Sequence, residues 1–430
     1  MAGPVMDTAC ITYEGVAFEQ DTFPRTKEPI WVLGKEYFTN KGEDSFHILR
    51  DIRSRIWCTY RKNFPAIGGT GPTADSGWGC MLRCGQMILA QALLCRHLGR
   101  DWQWEPDVSN AVYMQILQNF LDKKDSLYSI HQIAQMGVSE GKSVGSWFGP
   151  NTVAQVLKKL MCFDDWSSLC IHIAMDNTVI INDIKFLCKR DSSTKSHGEA
   201  TSYSHTSAGV GRQRGAVGGS DTTESAKHRP QGWRPLLLFI PLRLGLSEMN
   251  SVYDEPFKAC FTFRQSVGVI GGKPNHAYYF IGYYGNTLLY LDPHTTQQAV
   301  NPGKLSQIPD ESYHCVYPSR MNISDLDPSI ALVRKLLRTE LSKTPRHHAS
   351  NLWRFFKKCV SGDKSFHIHS GHRRPMFELA AVRPPHWPSL DIHQRPGDEL
   401  NCSQQSDFTE LSYESDDTKE FDTDGEYEIL

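Results

Sequence analysis

The chain has 430 residues, with 46 basic and 48 acidic side chains and a formal net charge of −2. This length is enough for one large or two ordinary domains with a substantial core. The near-neutral charge excludes a global field that would attract nucleic acid or acidic lipid. The first residues lack the basic region and apolar core of an export signal, and no apolar run is long enough to span a bilayer. We therefore expect a cytoplasmic protein whose twelve cysteines are reduced thiols.

The first half of the chain is predicted to be mainly helical. Residues 1–27 are interpreted as a flexible segment, and a folded domain is predicted over residues 28–387. Helical periodicity dominates from residue 45 to about 160 and includes the stretches 107–121 and 152–160.

The sequence around Cys80 indicates a reactive thiol. Gly77 and Gly79 lead directly into a run with apolar residues at helical spacing, so Cys80 falls in the first turn of a helix. Unpaired N–H groups and the helix dipole stabilise an anion there and lower the pKa of a thiol. The glycines also allow a substrate carbonyl to approach the Cys80 amide. The alternative is that Cys80 only packs in the core, as predicted for Cys84 and Cys95.

The second half begins with a polar segment and continues with strands. Residues 189–232 are rich in Ser, Thr, Gly and His and nearly free of large apolar side chains. Such a segment buries too little surface to offset its ordering entropy, so we predict a disordered surface insert. Strand patterns dominate from residue 233 to 291, and the apolar stretch 235–244 is predicted to be a buried strand.

A β-hairpin is predicted over residues 277–291, and its second strand runs into Asp292, Pro293 and His294. Residues two apart in an extended backbone face the same side, so the Asp292 carboxylate can meet the His294 ring and fix its tautomer. Alone, such a triplet is more often a turn with a surface histidine. Because a cysteine nucleophile needs a histidine base and a group that orients it, we predict that Cys80, His294 and Asp292 act together.

The C-terminal region divides into a basic segment and an acidic tail. Residues 333–374 are strongly basic and contain clustered histidines, which we interpret as a solvated loop, with a metal site as the alternative. Cys80 and Cys84 lie one helical turn apart, but no further zinc ligands follow a recognisable spacing, so neither a metal nor a cofactor is predicted.

The tail, residues 388–430, is predicted to be disordered and to end in a binding motif. Tyr427 and Leu430 are separated by two residues and preceded by acids, a pattern that suits addition of a strand to the sheet edge of a partner. Tyr13 and Val16 have the same spacing. A solvated acidic tail is the alternative interpretation.

Several segments resemble the autophagins, the autophagy-related protein 4 family of cysteine peptidases, and are most similar to the animal paralogues with short N-termini. The resemblance covers residues 28 to 330 apart from the insert. It implies a papain-like cysteine peptidase fold of the α+β or α/β class, with a helix-borne nucleophile and a sheet-borne His/Asp pair. The segments that carry it are 60–72, 75–80, 135–138, 146–152, 271–275 and 291–296.

The resemblance also implies an activity and a set of roles. Family members cut ubiquitin-like autophagy modifiers after a C-terminal glycine and release them from phosphatidylethanolamine. By motif match, Cys80 is the nucleophile, His294 the base and Asp292 its orienting group. Tyr60 matches an oxyanion donor and Trp147 an aromatic lid over the substrate glycine, although Trp147 also fits a packed loop aromatic. The partners implied are the modifiers and, through them, autophagic membranes; a monomer that binds no nucleic acid is expected.

The sequence departs from the family pattern after Ser329. Autophagins continue with a short aromatic strand and an acidic turn, whereas this chain continues with Val333, Arg334, Lys335 and Leu336. This difference puts the last core strand in doubt. The alternative function is therefore a catalytically impaired protein that binds modifiers, and acyl transfer to an amine would use the same three residues. Retention of the nucleophile, base and orienting group together favours the peptidase.

Overall fold

The computed structural model describes residues 24–39, 44–106, 108–189, 233–301, 308–336 and 376–387. The tail motif at Tyr427 and Leu430, the N-terminal pair Tyr13 and Val16, and the clustered histidines lie outside the described residues. So does the predicted insert, apart from Lys189, which forms a β-bridge with Trp233. The two ends of the insert therefore meet at one point of a continuous fold.

The described residues form seven α-helices, and six of them lie before residue 190. They are α1 (Asp44–Arg53), α2 (Cys80–His97), α3 (Ala111–Gln118), α4 (Ile130–Gly137), α5 (Pro150–Met161), α6 (Ile181–Cys188) and α7 (Asp254–Cys260). The helix predicted over residues 107–121 is shorter than expected. Its start is set by Asn110, whose side chain accepts a hydrogen bond from the Tyr113 N–H and caps the first turn.

Strands are concentrated after residue 233. The strands are β1 (Ile30–Val32), β2 (Lys35–Tyr37), β3 (Arg61–Lys62), β4 (Cys170–Ile173), β5 (Thr178–Ile180), β6 (Leu236–Arg243), β7 (Ser266–Lys273), β8 (His276–Tyr284), β9 (Thr287–Leu291), β10 (Gln297–Gln298), β11 (Ser319–Asn322), β12 (Ser329–Leu336) and β13 (Glu378–Ala380). The predicted hairpin is present as β8 and β9, and the predicted buried strand as β6.

The main sheet, as far as the structure describes it, has nine strands and runs in the order β11-β9-β8-β7-β12-β6-β4, with β1 paired to β8 and β2 paired to β1. Its neighbours are antiparallel except β4 and β6, which are parallel. Short parallel pairs join β10 to β3 and β13 to β5. The first of these pairs brings the chain after β9 beside the chain before α2.

Alternation along the strands divides the core into two parts. Leu237 and Phe239 on β6 face α2, whereas Leu238 and Ile240 face the opposite side, where Phe257 of α7 packs. Helices therefore cover both faces of the sheet. This architecture belongs to the predicted α+β class, and the sheet is predominantly antiparallel.

Helix α2 lies deeper than its sequence pattern indicates. An amphipathic helix was predicted, but every residue from Cys80 to Leu94 is buried. The reason is that α2 packs against β7 and β8 on one side and against α3 and α5 on the other. Its polar side chains find partners inside the protein: Gln91 accepts a hydrogen bond from Arg55, and Gln86 donates one to the Tyr128 carbonyl.

The strand placed in doubt by the basic sequence is present at the centre of the sheet. β12 pairs with β6 along its whole length and with β7 on its other side. Val333 and Leu336 are buried, and the Arg334 guanidinium lies over the Phe263 ring, 4.9 Å from its centroid. Residue 333, the predicted start of the basic segment, thus falls within a core strand. The strand can contain Arg334 because its aliphatic stem is buried and its charge lies over an aromatic ring.

Among the described residues, no helix is both long and apolar enough to cross a bilayer. The most apolar stretch of the sequence, residues 235–244, contains β6, which pairs with β12 on one side and with β4 on the other.

Candidate active site

Cys80 begins α2, and the residues before it form a tight turn. Gly77 has a φ of +87°, a conformation that side chains disfavour. At Gly79 a Cβ atom would lie 2.4 Å from Oδ2 of Asp75, so the close approach of this carboxylate requires glycine. The Cys80 side chain is only 6% exposed. The two glycines that suggested a reactive cysteine therefore have separate physical functions, one in the turn and one in packing.

Asp75 holds this turn against the neighbouring strand. Its Oδ1 atom accepts a hydrogen bond of 2.6 Å from the Arg61 N–H, and its Oδ2 atom accepts one of 2.8 Å from Arg83 Nε. Arg83 also bonds to Asp122 at 2.7 Å, so the buried cation is paired with two carboxylates. Because Arg61 follows Tyr60 directly, Asp75 fixes the position of Tyr60 relative to Cys80.

Asp292 and His294 follow β9, as the hairpin predicted. Nδ1 of His294 donates a hydrogen bond of 2.5 Å to Asp292 Oδ1, and the His294 backbone N–H donates another of 2.9 Å to the same oxygen. Trp57 Nε1 donates to the Asp292 carbonyl at 2.7 Å. The Asp292 carboxylate therefore fixes both the His294 ring and the turn that carries it. Because Nδ1 holds a proton, Nε2 is the nitrogen that can serve the nucleophile.

The backbone around Tyr60 runs alongside the His294 turn. The Tyr60 N–H donates to the Pro293 carbonyl at 2.8 Å, and the Gln297 N–H donates to the Tyr60 carbonyl at 2.9 Å. Ser76 and Thr296 bond through their hydroxyls at 2.9 Å. These contacts bring residues from distant parts of the sequence into one rigid cluster around Cys80.

The thiol and the imidazole change each other's ionisation. Burial opposes a charge on Cys80, but the nearby His294 imidazolium, the Ala277 N–H and the Tyr60 hydroxyl favour the thiolate and lower the pKa of the thiol. Burial likewise opposes a charge on His294, but Asp292 and Cys80 raise the pKa of the imidazole to about 9. The favoured state is a thiolate beside an imidazolium.

Nε2 of His294 is buried and has no hydrogen bond of ordinary geometry to the described residues. Cys80 nevertheless lies close enough to His294 to raise the pKa of the imidazole. The two groups are therefore neighbours, although they do not form a hydrogen bond of ordinary geometry. Catalytic hydrogen bonds are often long before substrate binds.

Aromatic rings enclose the His294 imidazole. The Tyr60 ring meets it edge-on with centroids 5.4 Å apart, and the Tyr278 ring does so at 5.5 Å. A third ring, His276, lies 5.0 Å away. Tyr60 and Tyr278 are buried, whereas His276 is exposed. The imidazole is thus walled by two buried rings and opens past the third.

Trp147 contacts the turn that leads to Cys80. Its Nε1 atom donates a hydrogen bond of 2.5 Å to the Gly77 carbonyl, and its side chain remains 47% exposed. It lies in the loop before α5, away from the core. A large, half-exposed ring held only three residues before the helix start is in position to cover the approach to Cys80.

The structure brings together Cys80, Asp292, His294 and Tyr60, and places Trp147 at the edge of that cluster. Two contributors were missed in the sequence: the backbone N–H of Ala277, and Asp75. Both lie beside quoted motifs, since Ala277 follows the segment 271–275 and Asp75 begins the segment 75–80. Neither motif showed which atom does what, because those contacts join elements that are distant in sequence.

Metal chemistry finds no support in the part of the chain that the structure describes. No group of three or more His, Cys, Asp or Glu side chains is arranged there to hold an ion. Cys84, the second thiol weighed for zinc, is fully buried, and burial raises its pKa well above the ordinary value.

A thiolate paired with an oriented imidazolium at a helix start defines the class of cysteine peptidases with a papain-like arrangement. Comparison with known proteins identifies the family. The profile of the Peptidase C54 catalytic domain matches residues 45–340. The chain belongs to this family and is a thiol-dependent cysteine peptidase.

Similarity extends over nearly the whole chain. Cysteine protease ATG4B of Gallus gallus is 51% identical over 418 residues, which cover 96% of this chain and 98% of the relative. Cysteine protease ATG4A of Gallus gallus is 47% identical over 413 residues, covering 96% and 99%. Cysteine protease ATG4A of Homo sapiens is 46% identical over 412 residues, covering 95% of each chain. The resemblance to the autophagins and the fold class it implied are confirmed.

Proposed function

We propose that this peptidase cuts ubiquitin-like autophagy modifiers after their C-terminal glycine and releases the same modifiers from phosphatidylethanolamine. The observation that carries the proposal is the buried pair of Cys80 and His294, in which the pKa of the thiol is lowered and that of the imidazole is raised. Membership of the C54 family and the similarity to ATG4 cysteine proteases support this choice of substrate.

The first half of the reaction forms an acyl-enzyme. The Cys80 thiolate attacks the glycine carbonyl, and the oxyanion accepts hydrogen bonds from the Cys80 amide and from the Tyr60 hydroxyl. The Tyr60 hydroxyl is close enough to the sulfur to favour the thiolate, so it already lies near the reacting atoms. The His294 imidazolium then gives its proton to the leaving amine, and the C–N bond breaks.

The second half restores the enzyme. His294, now neutral, takes a proton from water, and the resulting hydroxide attacks the thioester. The tetrahedral intermediate collapses and expels the Cys80 thiolate, while His294 remains the imidazolium. The modifier leaves with a free C-terminal glycine, whose carboxyl group loses its proton to solvent. Asp292 holds the ring in one tautomer throughout. No step requires a cofactor.

The shape of the entrance suits a glycine before the cleaved bond. Cys80 is 6% exposed, and Trp147 lies over the turn that leads to it. A side chain on the substrate residue would have to fit beneath that ring, whereas glycine has none. We propose Trp147 as the lid over this residue.

The alternative of a catalytically impaired binding protein is weakened by one observation. That interpretation depended on loss of the last core strand, and β12 occupies a central position with pairing on both sides. Acyl transfer to an amine would use the same acyl-enzyme and differs only in whether water or an amine resolves it.

Mass spectrometry of a modifier precursor after incubation with the protein tests the proposal. We expect one product, cut after the glycine, with the mass of a free carboxylate, and no product with Cys80→Ala. Cleavage at another bond would exclude the proposed specificity. A product that carries an added amine would indicate a transferase, and an intact precursor would favour the binding protein.

We further propose that the enzyme acts in the cytoplasm as a monomer and reaches autophagic membranes through its substrates. The tail contributes local concentration, with Tyr427 and Leu430 entering two pockets on a modifier and the surrounding acids meeting basic rims. The pair Tyr13 and Val16 is proposed as a second, similar motif.

Double substitution of Tyr427 and Leu430 by alanine tests the tail. We expect weaker binding to modifier-coated vesicles, by roughly tenfold, with cleavage of a short soluble substrate retained. The matched control replaces Leu411 and Tyr413 of the same tail by alanine. Equal affinities of parent and double variant at low and high salt would show that the tail is a solvated extension.

A further inference from the structure

Cys170 and Cys188 are two thiols that the proposed mechanism does not use. Cys170 is the first residue of β4, and Cys188 is the last residue of α6. Both belong to the part of the core that contains Phe257, on the side of the sheet opposite α2. β4 lies at one end of the described sheet order, whereas the reacting groups gather around β8 and the turn after β9. The two thiols are therefore separate from the active site.

One dipeptide, Arg234-Pro235, holds both cysteines. The Arg234 N–H donates a hydrogen bond of 2.9 Å to the Cys188 carbonyl, and the Cys170 N–H donates one of 3.1 Å to the Pro235 carbonyl. The Cys170 Sγ atom also lies 3.6 Å from that Pro235 oxygen. Backbone hydrogen bonds to adjacent residues therefore bring the two cysteines to one place in the fold.

The two thiols lie close enough to affect each other's ionisation. The Cys188 thiol favours a thiolate on Cys170 and is the largest cause of the lowered pKa of Cys170, which burial opposes. The same contact, together with burial, raises the pKa of Cys188. The Arg234 guanidinium favours negative charge on both sulfurs. Cys170 is therefore the more readily ionised member, with a second thiol beside it.

Exposure also distinguishes the two cysteines. Cys170 is 8% exposed, whereas Cys188 is 0% exposed. A small oxidant such as hydrogen peroxide therefore meets Cys170 first. An ionised thiol that has a second thiol within reach is oxidised to a disulfide, because the second sulfur intercepts the sulfenic acid before further oxidation.

We propose that Cys170 and Cys188 form a reversible intramolecular disulfide when the protein meets hydrogen peroxide. The Cys170 thiolate attacks one peroxide oxygen, the O–O bond breaks, and the leaving hydroxide takes a proton and becomes water. The Cys188 sulfur then attacks the sulfur of the Cys170 sulfenic acid. An S–S bond forms, the S–O bond breaks, and the oxygen leaves as water with the proton of the Cys188 thiol. The two thiols lose two electrons, and the peroxide is reduced to two water molecules.

The disulfide joins an edge strand to the helix beside it. Within the described sheet β4 is paired with β6 alone, and α6 packs against β4. A covalent bond between them closes a loop from residue 170 to residue 188 and restricts the unfolded chain. We expect the oxidised protein to unfold at a temperature roughly 5 °C above that of the reduced protein.

Peptide mapping after graded oxidation tests the proposal. The protein is treated with increasing hydrogen peroxide, quenched with N-ethylmaleimide and digested without reduction. Two cysteines serve as internal references, namely the exposed Cys162 and Cys260, which is buried in the same part of the core. We expect a peptide pair that links Cys170 to Cys188, at a dose roughly tenfold below that which oxidises Cys260. Dithiothreitol should restore both thiols.

The matched variants are Cys170→Ala and, as a control, Cys260→Ala. Cys170→Ala should leave Cys188 unlinked and abolish the rise in unfolding temperature, whereas Cys260→Ala should retain both. Oxidation in urea should remove the preference for this pairing. Cleavage is not the readout, because peroxide also attacks the Cys80 thiolate. The proposal is overturned if the pair stays reduced at the dose that fully oxidises Cys162, if Cys170 becomes a sulfinic acid without linkage, or if either thiol links first to another cysteine.

Discussion

The first and second turns of α2 carry two thiols of opposite character. Cys80 and Cys84 lie one turn apart, and both are buried, with exposures of 6% and 0%. The pKa of Cys80 is lowered because His294, the Ala277 N–H and the Tyr60 hydroxyl outweigh its burial. The pKa of Cys84 is raised well above the ordinary value by burial, and nearby negative charge on Cys80 and Asp292 raises it further.

This difference shows what makes a thiol nucleophilic in this protein. The helix start, on which the sequence argument relied, distinguishes the two turns, but it is not the whole cause. Partners supplied by β8, by the turn after β9 and by the Tyr60 strand converge on Cys80 and not on Cys84. Removing those partners one at a time should make Cys80 progressively more like its neighbour.

The largest expected effect appears when each of the two cysteines is replaced by alanine in a separate variant. Cys80→Ala should reduce turnover by roughly 10⁴-fold or more, since no other group can form the thioester. Cys84→Ala should retain turnover within about threefold and lower the free energy of unfolding by roughly 1–2 kcal/mol through lost packing. Initial rates on a modifier precursor, together with thermal unfolding, measure both. Loss of turnover in Cys84→Ala with a folded protein would reverse the assignment.

Removal of the proposed base or of its proposed orienting group should have the next largest effect. His294→Ala is expected to slow turnover by roughly 10³- to 10⁴-fold while modifier binding is largely retained, because the ring moves protons and does not hold the substrate. Asp292→Asn should cause a similar loss through the tautomer and the charge of the imidazolium. Single-turnover rates and a binding titration separate the two quantities. Rates within a few-fold of the parent in both variants would remove this pair from the chemistry.

Loss of Tyr60, the proposed oxyanion donor, should cost less. Tyr60→Phe keeps the ring packed against His294 and deletes only the hydroxyl, so kcat should fall by roughly 10²-fold, with KM nearly unchanged. Tyr313→Phe is a matched control, because the Tyr313 hydroxyl is buried without a hydrogen bond to the described residues. Equal rates for the two variants would mean that Tyr60 has only a packing role.

The pH dependence gives the smallest and most specific effect. The proton that His294 donates is lost as the pH rises through its raised pKa of about 9, so kcat/KM should decline above that value. Because Asp292 raises this pKa, the residual activity of Asp292→Asn should decline at lower pH than that of the parent. If kcat/KM declined at the same pH in Asp292→Asn as in the parent, this decline would not report the titration of His294.

The sequence contained much of this site because its parts are local. A helix start at Cys80 and a hairpin ending in Asp292 and His294 each depend on neighbouring residues, and local patterns predict such features well. The amide of Ala277 and the Asp75 carboxylate act across elements far apart in the chain, and no local pattern reports such a contact. For β12, the charges of Arg334 and Lys335 indicated solvent. In the structure Arg334 lies over Phe263, and Lys335 donates to the Cys95 carbonyl at 2.8 Å.

Alkylation by iodoacetamide tests the contrast between the two turns most directly. Exposure alone would favour Cys162, which is exposed, over the buried Cys80. The account predicts that low concentrations label Cys80 first from about pH 6 to about pH 8, in step with loss of cleavage, and that His294→Ala abolishes this preference. Cys84 should stay unmodified in the folded protein. Earlier labelling of Cys162, Cys84 or Cys58 than of Cys80 in the parent, by peptide mapping, would contradict a thiolate held by His294.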